Sequence, residues 1–239
     1  MKPFAPLLFL LFFGPVLSGQ HKSDPLHPKF FLGVSYGTSF SVRDFADTDI
    51  DNPNAGFAKN GNKIDLYGGT FLGKRVTLSG TLRYQSFATE IEDLIDTFNL
   101  TYPNSDFSGS TENWQTYYLL AGIAYRVSIG KRINFFPRFG FGPLVAQNPG
   151  ISLSSPNIPI TNSYNRTSER GLGFGAEFGI GLHTELGKHF SLLPTFTFSG
   201  GYVNIKDVVT TNDNTSATSD YQTNIQSFTL GLSLAYRFY

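Results

Sequence analysis

The sequence predicts an all-β fold, an eight-stranded antiparallel up-and-down transmembrane β-barrel that crosses the bilayer with its strands. Three observations lead there. Segments of period-two alternation recur along the chain, with large apolar residues on one side and glycine, serine or charge on the other. Very short turns alternate with long polar connections. The composition joins 25 Gly, 24 Phe and 12 Tyr to only 15% charged residues, and no apolar run after the N-terminus is long enough for a membrane helix.

The chain opens with Met1 and Lys2, an apolar stretch from Phe4 to Leu17, then Ser18 and Gly19 ahead of Gln20. This is the layout of a secretory signal peptide over residues 1–19. It is shorter than the roughly 20 residues that span a bilayer, and Gly14 and Pro15 interrupt it. Residues 20–29 are expected as a short N-terminal periplasmic segment and residues 30–239 as the barrel. Its strands are predicted at 30–42, 62–72, 76–87, 116–129, 133–145, 171–186, 190–203 and 224–238.

The short turns Gly73-Lys74-Arg75, Gly130-Lys131-Arg132 and Gly187-Lys188-His189 are near copies at even spacing, which marks a repeated hairpin unit. In the following strands Gly80, Pro137 and Pro194 occupy equivalent places. The two prolines lack a ladder donor, so bulges or distorted pairing are expected around them. The long connections, 43–61, 88–113, 146–170 and 204–223, all fall on the other end. Four long extracellular loops opposite short periplasmic turns is the topology of outer-membrane barrels. In the second loop Ile91, Leu94, Ile95 and Phe98 have helical spacing, and Thr89 with Glu92 suggests a capping box. A short amphipathic helix covering one rim of the barrel is expected.

The direction of the alternation decides between a soluble and a membrane barrel. In the sixth strand Leu172, Phe174, Ala176, Phe178, Ile180 and Leu182 oppose Gly171, Gly173, Gly175, Glu177, Gly179, Gly181, His183 and Glu185. In the first, Phe30, Leu32, Val34, Tyr36 and Phe40 oppose Gly33, Ser35, Gly37, Ser39 and Ser41. The last sets Phe228, Leu230, Leu232, Leu234, Tyr236 and Phe238 against Thr229, Gly231, Ser233, Ala235 and Arg237. Asp65, Arg83, Arg126, Arg138, Glu177, Glu185, Arg237 and His183 all fall on the small, polar side. A side so rich in glycine and charge cannot form an apolar core, so the greasy side faces lipid. In strands two and four Tyr67, Phe71, Tyr118 and Leu120 blur the parity, and the charges guide the assignment. Tyr36, Phe40, Tyr84 and Tyr202 toward the loops, and Phe30, Tyr125, Phe190, Tyr236 and Phe238 toward the turns, supply the two aromatic girdles. Trp114 is a candidate for the loop-side belt.

On this pattern, and on the closing segment from Gly231 through Tyr236 to Phe238, the chain resembles the small outer-membrane β-barrel superfamily. That superfamily includes the OmpA transmembrane domain and OmpX, and the porin-family and PorT-like barrels of Bacteroidota. The resemblance covers residues 30–238. It implies outer-membrane localisation in a Gram-negative bacterium, with lipid and lipopolysaccharide around the barrel. It also implies recognition by the barrel assembly machinery, through a C-terminal signal that includes Tyr236 and Phe238. Tyr239 extends one residue past the usual end, and Ser233 stands where the pattern prefers glycine. The peptidoglycan-binding domain that follows the barrel in OmpA is expected to be missing.

Lys plus Arg equals Asp plus Glu at 18 each, which gives no sign of a nucleic-acid partner. The absence of cysteine excludes a disulfide scaffold and an acylated cysteine. Asp47, Asp49 and Asp51 resemble the start of a calcium loop, but Ala58 stands where a bidentate Glu is needed. His21 and His27 lie near the N-terminus, His189 in a turn and His183 inside, so no histidine accompanies a nucleophile at the outer face. Gly171, Gly173 and Gly175 alternate within a strand and do not make a phosphate loop. No catalytic, cofactor or metal site is expected. The seven charged residues are instead expected to form one buried ion-pair network filling a narrow lumen. The functional expectation is a non-enzymatic protein acting through its loops in adhesion, envelope integrity or attachment to a surface or secretion complex. The alternative is passage of a small solute through the lumen or a lateral opening.

Overall fold

The computed structural model of the chain describes residues 28–49, 52, 54–101, 106–129, 133–155, 163–212 and 215–239. The signal segment, His21, His27, Asp51 and the turn at 130–132 lie outside the described residues. In chain order the strands are β1 (Phe30–Ser41), β2 (Ala58–Leu72), β3 (Val76–Thr89), β4 (Ser108–Thr111), β5 (Trp114–Tyr125), β6 (Val127–Ser128) and β7 (Ile133–Phe135). They continue as β8 (Arg138–Gln147), β9 (Ile151–Ser154), β10 (Ser163–Arg166), β11 (Arg170–Leu186), β12 (Phe190–Asn212) and β13 (Thr215–Phe238). One helix, α1 (Glu92–Thr101), follows β3.

Antiparallel pairing runs β1, β2, β3, β5, β8, β11, β12, β13 and back to β1, so eight strands close a ring without an edge. Closure satisfies the ladder donors and acceptors internally, which a bilayer demands. Both described ends lie together: Lys29 N donates to Phe238 O at 2.8 Å. The tight turns follow from their glycines, since Gly73 and Gly187 adopt φ of +73° and +83°, where a Cβ would be strained.

The predicted faces are those observed. Val34, Leu172 and Leu230 are 56%, 75% and 55% exposed, while Ser39, Ser199 and Thr229 are at most 1% exposed. Stacked and edge-on rings of Phe30, Phe238, Tyr236 and Phe190 build the girdle at the turn end. Tyr239 joins them, its hydroxyl donating to Lys188 O at 2.6 Å.

Tyr67, Tyr118 and Leu120 face inward and are buried. Small residues opposite make room: a Cβ built at Gly175 would come within 2.6 Å of the Tyr118 ring, and one at Gly33 within 2.7 Å of Tyr67 Cζ. This complementarity between wide and narrow residues is what blurs the alternation in strands two and four.

Several expectations are corrected. Pairing is interrupted at Pro137, between β7 and β8, and at Leu193 and Pro194 opposite β11, but the register is kept across both gaps. The expected distortion of pairing at the two prolines is thus present, but no bulge accompanies it, because a proline merely omits one donor. The register shifts instead at Ile205/Val208, where Asp207 has φ of +59°, and at Ala58/Gly61. The capping box does not form, since Thr89 belongs to β3 and its Oγ1 donates to Glu112 O at 2.8 Å. Glu90 Oε1 accepts the Glu92 N–H in its place. The helix packs Ile91, Leu94, Ile95 and Phe98 on Phe107, Ile151 and Leu153 of the loop region.

Candidate functional site

Beyond the barrel, the described parts of the long connections carry regular structure. The β12–β13 hairpin continues its pairing out to Asn212 and Thr215, and β10, β9 and β4 extend the sheet sideways from β12. Phe98 packs against both Phe107 and Tyr164, tying α1 to that extension. Arg166 sits 4.6 Å from the Tyr221 ring, whose buried phenol has its pKa pushed up to about 12 by desolvation. In the first loop Asn52 donates to Asp47 Oδ2 at 2.6 Å and holds that carboxyl below the usual carboxylate range, while Asp47 Oδ1 accepts the Asp49 N–H. Asp47 thus shapes its own turn.

Inside the ring, the loop end is apolar. Phe45, Phe87, Trp114, Leu144, Val203, Ile205 and Ile225 are buried as one cluster. Phe45 comes from the 3-10 turn Arg43–Phe45 and contacts the rings of Phe87 and Trp114. Trp114 therefore belongs to this plug and not to the lipid belt. Its indole nitrogen donates to Gly56 O at 2.8 Å. Trp114→Phe is expected to destabilise the folded barrel by ~1–3 kcal/mol in urea titration, because that buried carbonyl loses its donor.

Below the plug lies a hydroxyl layer, in which Gln85 Nε2 donates to Ser39 Oγ at 3.0 Å and Ser39 meets Thr229 at 2.9 Å. Charges come next. Arg83 clasps Asp65 through Nε–Oδ1 at 2.8 Å and Nη2–Oδ2 at 3.1 Å, and reaches Glu177 Oε2 at 2.5 Å. Lys63 Nζ is 3.1 Å from Asp65 Oδ2, and Arg138 Nε is 3.5 Å from Glu177 Oε1. Lys63, fully buried, is the member that sequence reasoning missed, although it shares the parity of Asp65 two residues on.

The single network expected from sequence is in fact two. Glu185 Oε1 pairs with Arg237 Nη1 at 2.8 Å near the turns, and Arg237 Nη2 also donates to Gly187 O. Arg126 joins neither; its guanidinium lies 5.4 Å from the Phe71 ring. Between the two ion-pair groups is a cavity of about 50 Å³, lined in part by Arg126, Arg138, Glu177, His183 and Arg237. Tyr236 and Phe238 lie outside all of this, on the lipid side of the last strand.

A closed ring of eight strands, apolar toward lipid and polar or plugged within, defines an integral membrane β-barrel. The profile of the Outer membrane protein beta-barrel domain matches residues 7–238, so the chain belongs to that family and resides in the outer membrane. A search of curated proteins finds no match. Among solved structures, the outer membrane protease OmpT of Escherichia coli aligns with a TM-score of 0.51 at 8% identity, over 92% of this chain and 99% of that one. A major outer membrane protein of Thermus thermophilus gives 0.48 at 15%, over 87% and 99%. The attachment invasion locus protein Ail of Yersinia pestis gives 0.46 at 16%, over 89% and 99%. At 8% identity the likeness to OmpT is one of fold.

Proposed function

We propose that this outer-membrane barrel is a non-enzymatic anchor whose loops bind a partner at the cell surface, in adhesion, envelope integrity or attachment to a surface or secretion complex. The observation that supports this reading is the contrast between the two ends of the molecule. The bore is stopped by the Phe45–Trp114 plug, while the hairpin, its three added strands and α1 project a pre-ordered surface. Preordering lowers the entropy lost on binding. Both described histidines, His183 and His189, lie toward the turn end, away from that surface. In the same reading, lipid and lipopolysaccharide contact the outward apolar face, and the assembly machinery reads Tyr236 and Phe238.

Photo-cross-linkers placed at Thr211 and Thr218 in intact cells are expected to capture one recurring protein or glycan partner. Planar-bilayer recordings of the purified protein are expected to show no large stable conductance. A steady open channel without any cross-linked partner would favour solute transport and overturn the proposal. Turnover of a peptide or lipid substrate by the purified barrel would contradict its non-enzymatic part.

A further inference from the structure

We infer that the turn-side cavity of the lumen is a binding site for one small, weakly hydrated inorganic anion of the halide or nitrate class. The argument begins with charge. Three guanidiniums line the cavity, those of Arg126, Arg138 and Arg237, against the single carboxylate of Glu177. Glu177 is already engaged by Arg83 and Arg138, and the nearby Glu185 by Arg237. Arg126 has no carboxylate within ion-pair distance among the described residues. A lysine in such a place could shed its proton, but a guanidinium cannot. Its charge must be balanced by solvent or by an anion.

Geometry supplies donors as well as charge. Arg237 is 3% exposed and its Nε has no hydrogen-bond partner; His183 is 8% exposed and its Nδ1 has none. Both side chains line the same cavity. Buried polar atoms of this kind normally find a partner. About 50 Å³ exceeds the roughly 10–15 Å³ that one water needs, so a monatomic anion fits with a few waters. Phe31, Tyr67, Phe71 and Phe136 supply much of the remaining wall, which favours an ion that gives up its hydration readily. Toward the loops the ion cluster and the aromatic plug close the bore. The anion is therefore a resident that neutralises and ties together the turn end, and not a permeating ion.

The test uses the folded barrel in detergent micelles, with bromide replacing gluconate at fixed ionic strength. The urea midpoint is expected to rise and then saturate with bromide, as it must for a ligand that binds the folded state alone. Arg126→Gln is expected to abolish the bromide dependence whatever it does to the baseline, and Arg126→Lys to retain it. In bromide-soaked crystals an anomalous peak is expected among Arg126, His183 and Arg237. A midpoint that is unchanged or rises without saturation, a bromide dependence that survives in Arg126→Gln, or a cavity without anomalous signal would each overturn the proposal.

Discussion

Asp65→Asn is expected to destabilise the folded barrel by about 3–5 kcal/mol, the penalty for removing one partner of a buried ion pair. Asp65 is the carboxylate that holds both Lys63 and Arg83. Without it, Lys63, Arg83 and Arg138 face Glu177 alone, and two of these cations are wholly buried. The amide keeps the size of the carboxylate, so lost packing cannot account for the effect. Lys63→Met in the same chain restores the original balance of charge and leaves Arg83 its bond to Glu177. The double variant is therefore expected to recover part of the loss. Urea titration of the compact, heat-modifiable band on gels measures both. If Asp65→Asn unfolds at the wild-type midpoint, the cluster contributes no stability.

Leu66→Arg is expected to cost about 2–4 kcal/mol, the range for a cation placed on the lipid face near the bilayer midplane. Leu66 pairs with Val34 and Leu82 in the middle of their strands and is 44% exposed. In a soluble protein an arginine at such a surface site would be nearly neutral. The same substitution at Leu100, 82% exposed on α1, is expected to have little effect and serves as the control. Equal midpoints for the two variants in lipid would remove the acyl chains from the account.

The turn-side ends of the strands were legible to within a residue or two, because the αL glycines at 73 and 187 and the aromatic girdle mark that boundary chemically. Most loop-side ends were as well, but those of β2, β12 and β13 were not. β12 and β13 continue far beyond the apolar alternation, since a strand above the membrane has no lipid face and loses its period-two signal. The inward charges Asp65, Arg83, Arg138 and Glu177 could be read from parity, and so could Lys63, had that rule been carried one step further along β2. The separation of Glu185 and Arg237 into a second group could not, because it depends on which strands face one another across the bore. The plug escaped for a related reason. Phe87, Trp114, Leu144 and Ile225 sit on the inward parity near the loops, and of these only Trp114 was singled out, as a candidate for the outer belt.

The most direct test of the membrane orientation is the oxygen accessibility of nitroxide labels at single cysteines along β13, in a chain that has no cysteine of its own. In lipid bilayers, labels at Leu230, Leu232 and Leu234 should collide freely with dissolved oxygen, and those at Thr229 and Ser233 should be shielded. The reverse alternation would place Phe and Leu inside the ring and contradict the account.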